Sequence, residues 1–307
     1  MRRLTIIAVT CLLALPFTGK AQAVADYNDG WNRPTIGHAS FDFGYVYFGM
    51  VPPRYREPGI DIHSLPPITG LKYRSYSSYC QKDTCDATRV VLAVRCPEDS
   101  VLLQWASGRV AEYVERSITH DKVRKAQTAS SADICNQYIW QIKKKFDQFQ
   151  CTGEGDHDVP NEQFGYLLTD CWRTEQYCTF YESTWYDWMS CGDNTTDSYY
   201  SVNVKTGKVA TIMDFIQDKD LSHLAKLMLK YLKNYKGDLW YHPDFEWVPT
   251  DPMELLKAMN GCALIREGLI IYYHPYEIGC GADGQFNAVI PYKELTQLLA
   301  NQTFAKL

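Results

Sequence analysis

The sequence predicts an α+β fold in which an antiparallel sheet is packed by helices on one side and stabilised by disulfides. Three observations carry this expectation. Short β-branched and aromatic runs recur along the chain, amphipathic helical segments are interleaved with them, and an even set of cysteines follows an export signal.

The export signal is read from the first 23 residues. Arg2 and Arg3 form a basic start, residues 4–17 are almost unbroken apolar sequence, and Ala21-Gln22-Ala23 is a small-residue cleavage site. The expected product begins at Val24 and is periplasmic or secreted. No later stretch reaches the ~20 apolar residues that a membrane helix needs, so no transmembrane anchor is expected. Cleavage removes Arg2, Arg3 and Lys20 and no acid, taking the formal charge from -5 to -8. That balance argues against nucleic acid as a partner and suits a cationic one.

Of 11 cysteines, Cys11 leaves with the signal, and ten remain. In an oxidising compartment these are expected to pair. Cys80 and Cys85 bracket a polar turn, and Cys171 and Cys178 bracket Arg173-Thr174-Glu175-Gln176, so each pair suits a bridge across a hairpin. Spacing leaves Cys96, Cys135, Cys151, Cys191, Cys262 and Cys280 unassigned. There is no C-x-x-C pair and no zinc spacing among the scattered histidines, so no metal and no cofactor are expected.

In chain order, residues 24–69 are rich in Gly, Pro and aromatics and read as an arm over the main body, with one strand at 41–48. A strand-helix subdomain is expected over 70–165. Strands at 71–80 and 89–96 lead it, the second a continuous apolar run suited to cover on both faces. Asp99-Ser100 signals a helix whose face carries Leu103, Ala106, Val110, Tyr113 and Val114. A second helix at 132–149 has Ser131 to cap it and a stripe of Ile134, Tyr138, Ile142, Phe146 and Phe149, with Lys143, Lys144 and Lys145 on the solvated side. The acidic loop at 151–163 holds His157 but no fixed ligand spacing, and reads as solvated.

The C-terminal domain is expected over 166–307. Strands are predicted at 164–168, 171–172 and 176–188, the last ending in Trp185-Tyr186-Asp187-Trp188, an aromatic cluster suited to core packing or to a ligand platform. A hairpin at 199–213 precedes a helix over 220–235, with Asp220 as cap, and a short helix over 252–260 opened by Asp251-Pro252. Residues 268–295 then read as strand, Gly-rich loop, strand and the start of a terminal helix.

This last stretch holds a strand ending in Pro275-Tyr276-Glu277-Ile278, a Gly/Ala loop, and Ile290-Pro291-Tyr292 followed by Glu294-Leu295. In these features it resembles the RsiV-like family, the C-terminal domain of unknown function shared by the anti-sigma factor RsiV and the deacetylase PdaC. Upstream, Tyr200-Ser-Val-Asn-Val-Lys-Thr-Gly207-Lys resembles the family's strand and turn, and the segment continues to Asp214-Phe215. Two loops depart from the family pattern, at Cys191-Gly192-Asp193-Asn194 and at Gly279-Cys280-Gly281, each with a cysteine gained. The Cys-containing loops at 190–197 and 279–284 are expected to lie near one another, and Tyr276 and Tyr292 to hold the fold.

For function, the resemblance implies an exported non-catalytic module that binds a lysozyme-like cell-wall hydrolase or a peptidoglycan fragment. Trp185, Trp188, Asp193, Tyr276 and Asp283 are the candidate contacts. No G-x-S-x-G elbow, phosphate-cradling loop or H-E-x-x-H motif occurs, so no catalytic residue is assigned. Paired carboxylates carry no sequence signature, which keeps a glycan hydrolase as one alternative. A structural envelope protein is the other.

Overall fold

The computed structural model describes residues 71–79, 87–125, 130–146, 162–188, 194–234, 251–279 and 284–299. The strand expected at 41–48, the Cys80 to Cys85 turn and the acidic loop up to residue 161 lie outside them.

Two sheets organise these residues, where the sequence suggested one. The first runs β1 (Lys72–Tyr79), β2 (Ala87–Arg95), β3 (Glu162–Arg173), β4 (Tyr177–Trp188), β5 (Asn194–Asn203), in that spatial order. Nor is it wholly antiparallel: β2 and β3 run parallel, with Val90 opposite Phe164 and Leu92 opposite Tyr166. The physical reason lies in the connection. Two helices, α1 (Ser100–Tyr113) and α2 (Ser131–Phe146), carry the chain back to the end where β2 began, and a long crossover of this kind is what a parallel neighbour requires.

Both helices cover one face of this sheet. Asp99 opens α1 by accepting from the backbone N–H of Val101 at 2.9 Å and of Leu102 at 3.1 Å. Leu102, Leu103, Ala106 and Val110 are buried against Val90, Leu92, Phe164, Tyr166, Leu168, Phe180 and Val202. A π-helical turn, Val114–Thr119, extends the helix until His120 ends it in the left-handed region at φ 52°. The cap of α2 is Ser130, one residue before the predicted Ser131. Its hydroxyl accepts from the Asp133 N–H at 3.2 Å and donates to Asp133 Oδ2 at 2.8 Å. Ser131 bonds Cys96 instead, accepting from its N–H at 3.0 Å and donating to its carbonyl at 3.3 Å, and so ties α2 to the end of β2.

The second sheet runs β6 (Leu232–Asn234), β9 (Phe286–Pro291), β8 (Gly268–Tyr273), β7 (Gly261–Ile265), all antiparallel. On one face it packs α4 (Leu221–Tyr231) and α5 (Pro252–Lys257), with α3 (Ile212–Phe215) and α6 (Tyr292–Leu295) at the margins. The core here joins Leu224 and Met228 of α4 with Leu255, Leu269, Ile271, Tyr273, Ala288 and Ile290. The helix predicted to reach residue 235 stops at Tyr231, because Leu232 turns into β6 and pairs with Ala288. Gly268 is required by close approach: a Cβ there would stand 1.9 Å from the Ile290 carbonyl oxygen.

The sheets meet where β7, an edge strand, lies against the face of the first sheet opposite the helices. Thr179 and Ser201 are cross-strand neighbours on β4 and β5. Thr179 Oγ1 donates to the Leu264 carbonyl at 2.6 Å, the Leu264 N–H donates to Ser201 Oγ at 2.9 Å, and the two hydroxyls are 2.8 Å apart. Replacing Thr179 by Val or Ser201 by Ala should each cost ~1–3 kcal/mol, because a buried backbone group loses its partner. The double variant should show a non-zero coupling energy. Denaturant unfolding of the three variants measures this; changes within ~0.5 kcal/mol would remove the seal as a stabilising feature.

The disulfide-stabilised expectation is corrected for the described cysteines. Cys96, Cys135, Cys171, Cys178 and Cys262 are all buried free thiols. The predicted Cys171 to Cys178 bridge fails on register: Cys178 stands opposite Arg173, while Cys171 sits in a bulge between Asp170 and Trp172. Direct opposition, the geometry a bridge needs, is absent. Burial pushes the thiol pKa of Cys135, Cys178 and Cys262 up to about 12, so reactive thiolate is scarce. Alkylation without reductant should therefore leave all five unmodified in the native protein and label them once it is unfolded, read by peptide mass mapping. Peptides that stay unlabelled after unfolding would contradict the free-thiol assignment.

Candidate functional site

The first sheet carries charge inside its helix-covered face. Glu182 of β4 lies two residues after Phe180, on the same face of the strand, and is 4 % exposed. Four donors surround it. Tyr166 donates to Oε1 at 2.6 Å, Tyr200 to Oε2 at 2.9 Å, and Arg109 of α1 to both oxygens, from Nε at 3.1 Å and Nη2 at 2.7 Å. Arg109 also lies over the Tyr200 ring, 4.7 Å from its centroid, and bonds Glu112 at 2.6 Å. Burial opposes the Arg109 charge, but the hydrogen bond and charge of Glu182 raise its pKa overall. Burial and the same carboxylate hold the Tyr166 and Tyr200 hydroxyls well above their ordinary range, so both remain donors.

Ser198, opposite Glu182 in the β4–β5 register, continues this network to the edge of the sheet. Its Oγ lies 2.9 Å from Nε2 of His274, the residue that follows β8. His274 is fixed through its main chain, whose N–H donates to Asn260 Oδ1 at 2.7 Å. Burial pulls its pKa below the usual histidine value, against the raising influence of Glu277, Asp197 and Glu182. Nearby, Asp197 and Gln285 form a reciprocal clip: Gln285 Oε1 accepts from the Asp197 N–H at 2.9 Å, and its Nε2 donates to the Asp197 carbonyl at 2.7 Å. Tyr181 donates to the Asp197 carboxylate at 2.9 Å.

Of the sequence-predicted contacts, Tyr276 is the one described in full. It is 74 % exposed and left-handed at φ 72°, so the expectation that it is a buried prop of the fold is corrected. Tyr292 fits that expectation better, being half-buried with its hydroxyl donating to the Ile265 carbonyl at 2.8 Å. Trp185 and Trp188 lie in β4, but their side chains are outside the described set, as are Asp193 and Asp283. The flanks of the two predicted loops do meet, through Asp197 and Gln285. Sequence reading missed Arg109, Glu182, Ser198 and His274. One signal was available: Glu182 occupies a core-facing position of an aromatic strand.

Chemically, a serine hydroxyl 2.9 Å from a histidine nitrogen is the arrangement of a nucleophile and its base. Ser198 is only 4 % exposed, however, and sits within a regular strand. Among the described residues no group of three or more metal-ligating side chains occurs, and no helix is long and apolar enough to cross a membrane.

Residues 213–293 match the family described as "Protein of unknown function (DUF3298)". The match runs from α3 through the second sheet into α6. Two solved structures are similar to the chain. One is a member of the same family from Bacteroides fragilis, with 11 % identity, TM-score 0.48, and coverage of 77 % of this chain and 96 % of the other. The second, a family protein from Pseudomonas aeruginosa, has 15 % identity, TM-score 0.38, and coverage of 78 % and 95 %. No curated protein matches the chain.

The depressed pKa of His274 sets a pH dependence. Below ~6.5 the unfolded chain takes up this proton while the native state resists it, so the stability it contributes is complete above that pH. It is lost as pH falls from ~6.5 through the native value. Stability of the wild type should therefore fall more steeply between pH 7 and 5 than that of His274→Gln, followed by denaturant melts at each pH. Parallel profiles would show that His274 does not couple folding to pH.

Proposed function

We propose that this chain is an exported, non-catalytic binding protein of RsiV-like type, recognising a lysozyme-like cell-wall hydrolase or a peptidoglycan fragment through the Tyr276 turn. The observation that carries the reading is Tyr276 itself. A bulky residue in the left-handed region costs ~1–3 kcal/mol and persists only where its surroundings enforce it. Here Asn260 fastens the turn on both sides, accepting from the His274 N–H at 2.7 Å and reaching Glu277 Oε1 at 3.4 Å. The strained residue projects an amphipathic ring into solvent, and tyrosines held in this way are favoured anchors at interfaces. Asp193 and Asp283 lie within four residues of the Asp197–Gln285 clip along the chain, and acids there suit a cationic hydrolase. A mature charge of -8 adds steering of the same sign.

The Ser198–His274 pair supports a second reading, a hydrolase whose serine becomes accessible on substrate binding. One experiment separates the two. Immobilised protein is presented with a lysozyme-type muramidase and with solubilised peptidoglycan, while product release is followed over time. Binding should be saturable, associate faster at low salt, and weaken at least tenfold in Tyr276→Ala with an unchanged melting temperature. Undiminished affinity in that variant removes the turn as the contact. Turnover that Ser198→Ala abolishes would establish the hydrolase.

A further inference from the structure

The helix layer presents a surface of opposite character to the chain as a whole. Residues 120–146 contain six basic and two acidic side chains in a protein of net charge -5. The two acids are engaged: Asp121 by Lys145 and Asp133 by Ser130. Lys122, Arg124 and Lys125 follow the π-helical turn as an exposed strip, and Lys143 and Lys144 stand exposed on α2. Among them is Trp140, 61 % exposed, with Lys144 Nζ 5.5 Å from its ring centroid.

The strip is fastened beside the helix. The Arg124 N–H donates to Gln141 Oε1 at 2.7 Å, and Gln141 Nε2 donates back to the Arg124 carbonyl at 2.9 Å, one position from Trp140. The Val123 N–H donates to Glu115 Oε1 at 2.9 Å. The Gln141 bonds hold the basic strip against the helix that carries the tryptophan, and the Glu115 bond holds it to the π-helical turn, before any partner arrives.

We propose that this surface docks the protein on a bilayer containing anionic phospholipid. Cations alone would fit any polyanion, but a protruding indole among lysines fits an interface in which the ring enters the headgroup region while ammonium groups meet phosphates. Each lysine or arginine near such a surface strengthens partitioning about fivefold. The chain's acidic excess does not cancel this, because charges farther away than ~8–10 Å are screened at physiological ionic strength. The inference stands apart from the Tyr276 turn, and neither depends on the other.

The test is sedimentation of the full chain with vesicles of phosphatidylcholine alone and of phosphatidylcholine with phosphatidylglycerol at about 7:3, at low and physiological salt. Binding should require the anionic lipid and weaken with salt. Lys143→Gln/Lys144→Gln should lower partitioning about 25-fold on the same per-residue scale, and Trp140→Ala should lower it further. Both sites are exposed, so melting temperatures should be unchanged. Bromine-labelled acyl chains should quench tryptophan emission in the wild type and far less in Trp140→Phe. No sedimentation with anionic vesicles overturns the proposal, as does sedimentation that the variants leave intact. Retention by soluble polyphosphate, with no lipid binding, would assign the surface to a polyanion instead.

Discussion

The seal on Leu264 is the contact on which the rest of the molecule depends. β7 ends the second sheet, and its outer backbone edge is buried against the first sheet, where water cannot satisfy it. A strand would normally solve this by adding to the ladder. Here two side-chain hydroxyls, Thr179 and Ser201, do so from the face of another sheet. Their placement is specific, since they must be direct cross-strand neighbours and must meet one residue's N–H and C=O together. Once β7 is held, the pairing of β7 with β8 fixes where β8 ends. Tyr272 then stacks edge-on to Tyr199 at 6.0 Å, and His274 reaches Ser198. Position of the Tyr276 turn follows from the same register.

Local structure was largely legible in the sequence, and relations between elements were not. Asp99 and Asp251 are caps that the sequence marks, and both accept the expected backbone N–H groups. The stripe of Ile134, Tyr138 and Ile142 is buried as its spacing requires. What failed involved partners distant in the chain. The apolar run of β2 suits a parallel or an antiparallel neighbour equally, so only the two-helix crossover decides. Leu232 has helical spacing with Met228, yet pairing with Ala288 takes it into a strand. Ser130 and Ser131 are equivalent as caps until Cys96 claims the second.

Of the candidate site, the turn was legible in the sequence and little of the network behind it was. Tyr276 could be named as important but not as exposed, because its left-handed backbone is imposed by Asn260, 16 positions earlier in the chain. Ser198 and His274 are 76 positions apart, and Arg109 and Glu182 are 73 apart. No local spacing encodes such pairs. The cysteines misled for the same reason: evenness and compartment say that thiols pair, while register decides which do, and Cys178 stands opposite Arg173 with Cys171 left in a bulge.

Glu182 ties the elements at this part of the molecule to one another. A buried carboxylate is tolerable only with its lone pairs filled, and losing one partner of a buried ion pair typically costs 3–5 kcal/mol. Its donors come from α1, β3 and β5, so three elements are committed to one geometry around one residue. Ser198 borders that cluster and hands its order to His274, and Asn260 passes it from His274 to the turn. Strain at Tyr276 therefore rests on a chain of satisfied polar groups that begins inside the helix-covered face. A flexible loop would relax such a backbone; here relaxation would have to break the Asn260 bonds first, which is why an exposed tyrosine can be held in a conformation it would not choose alone.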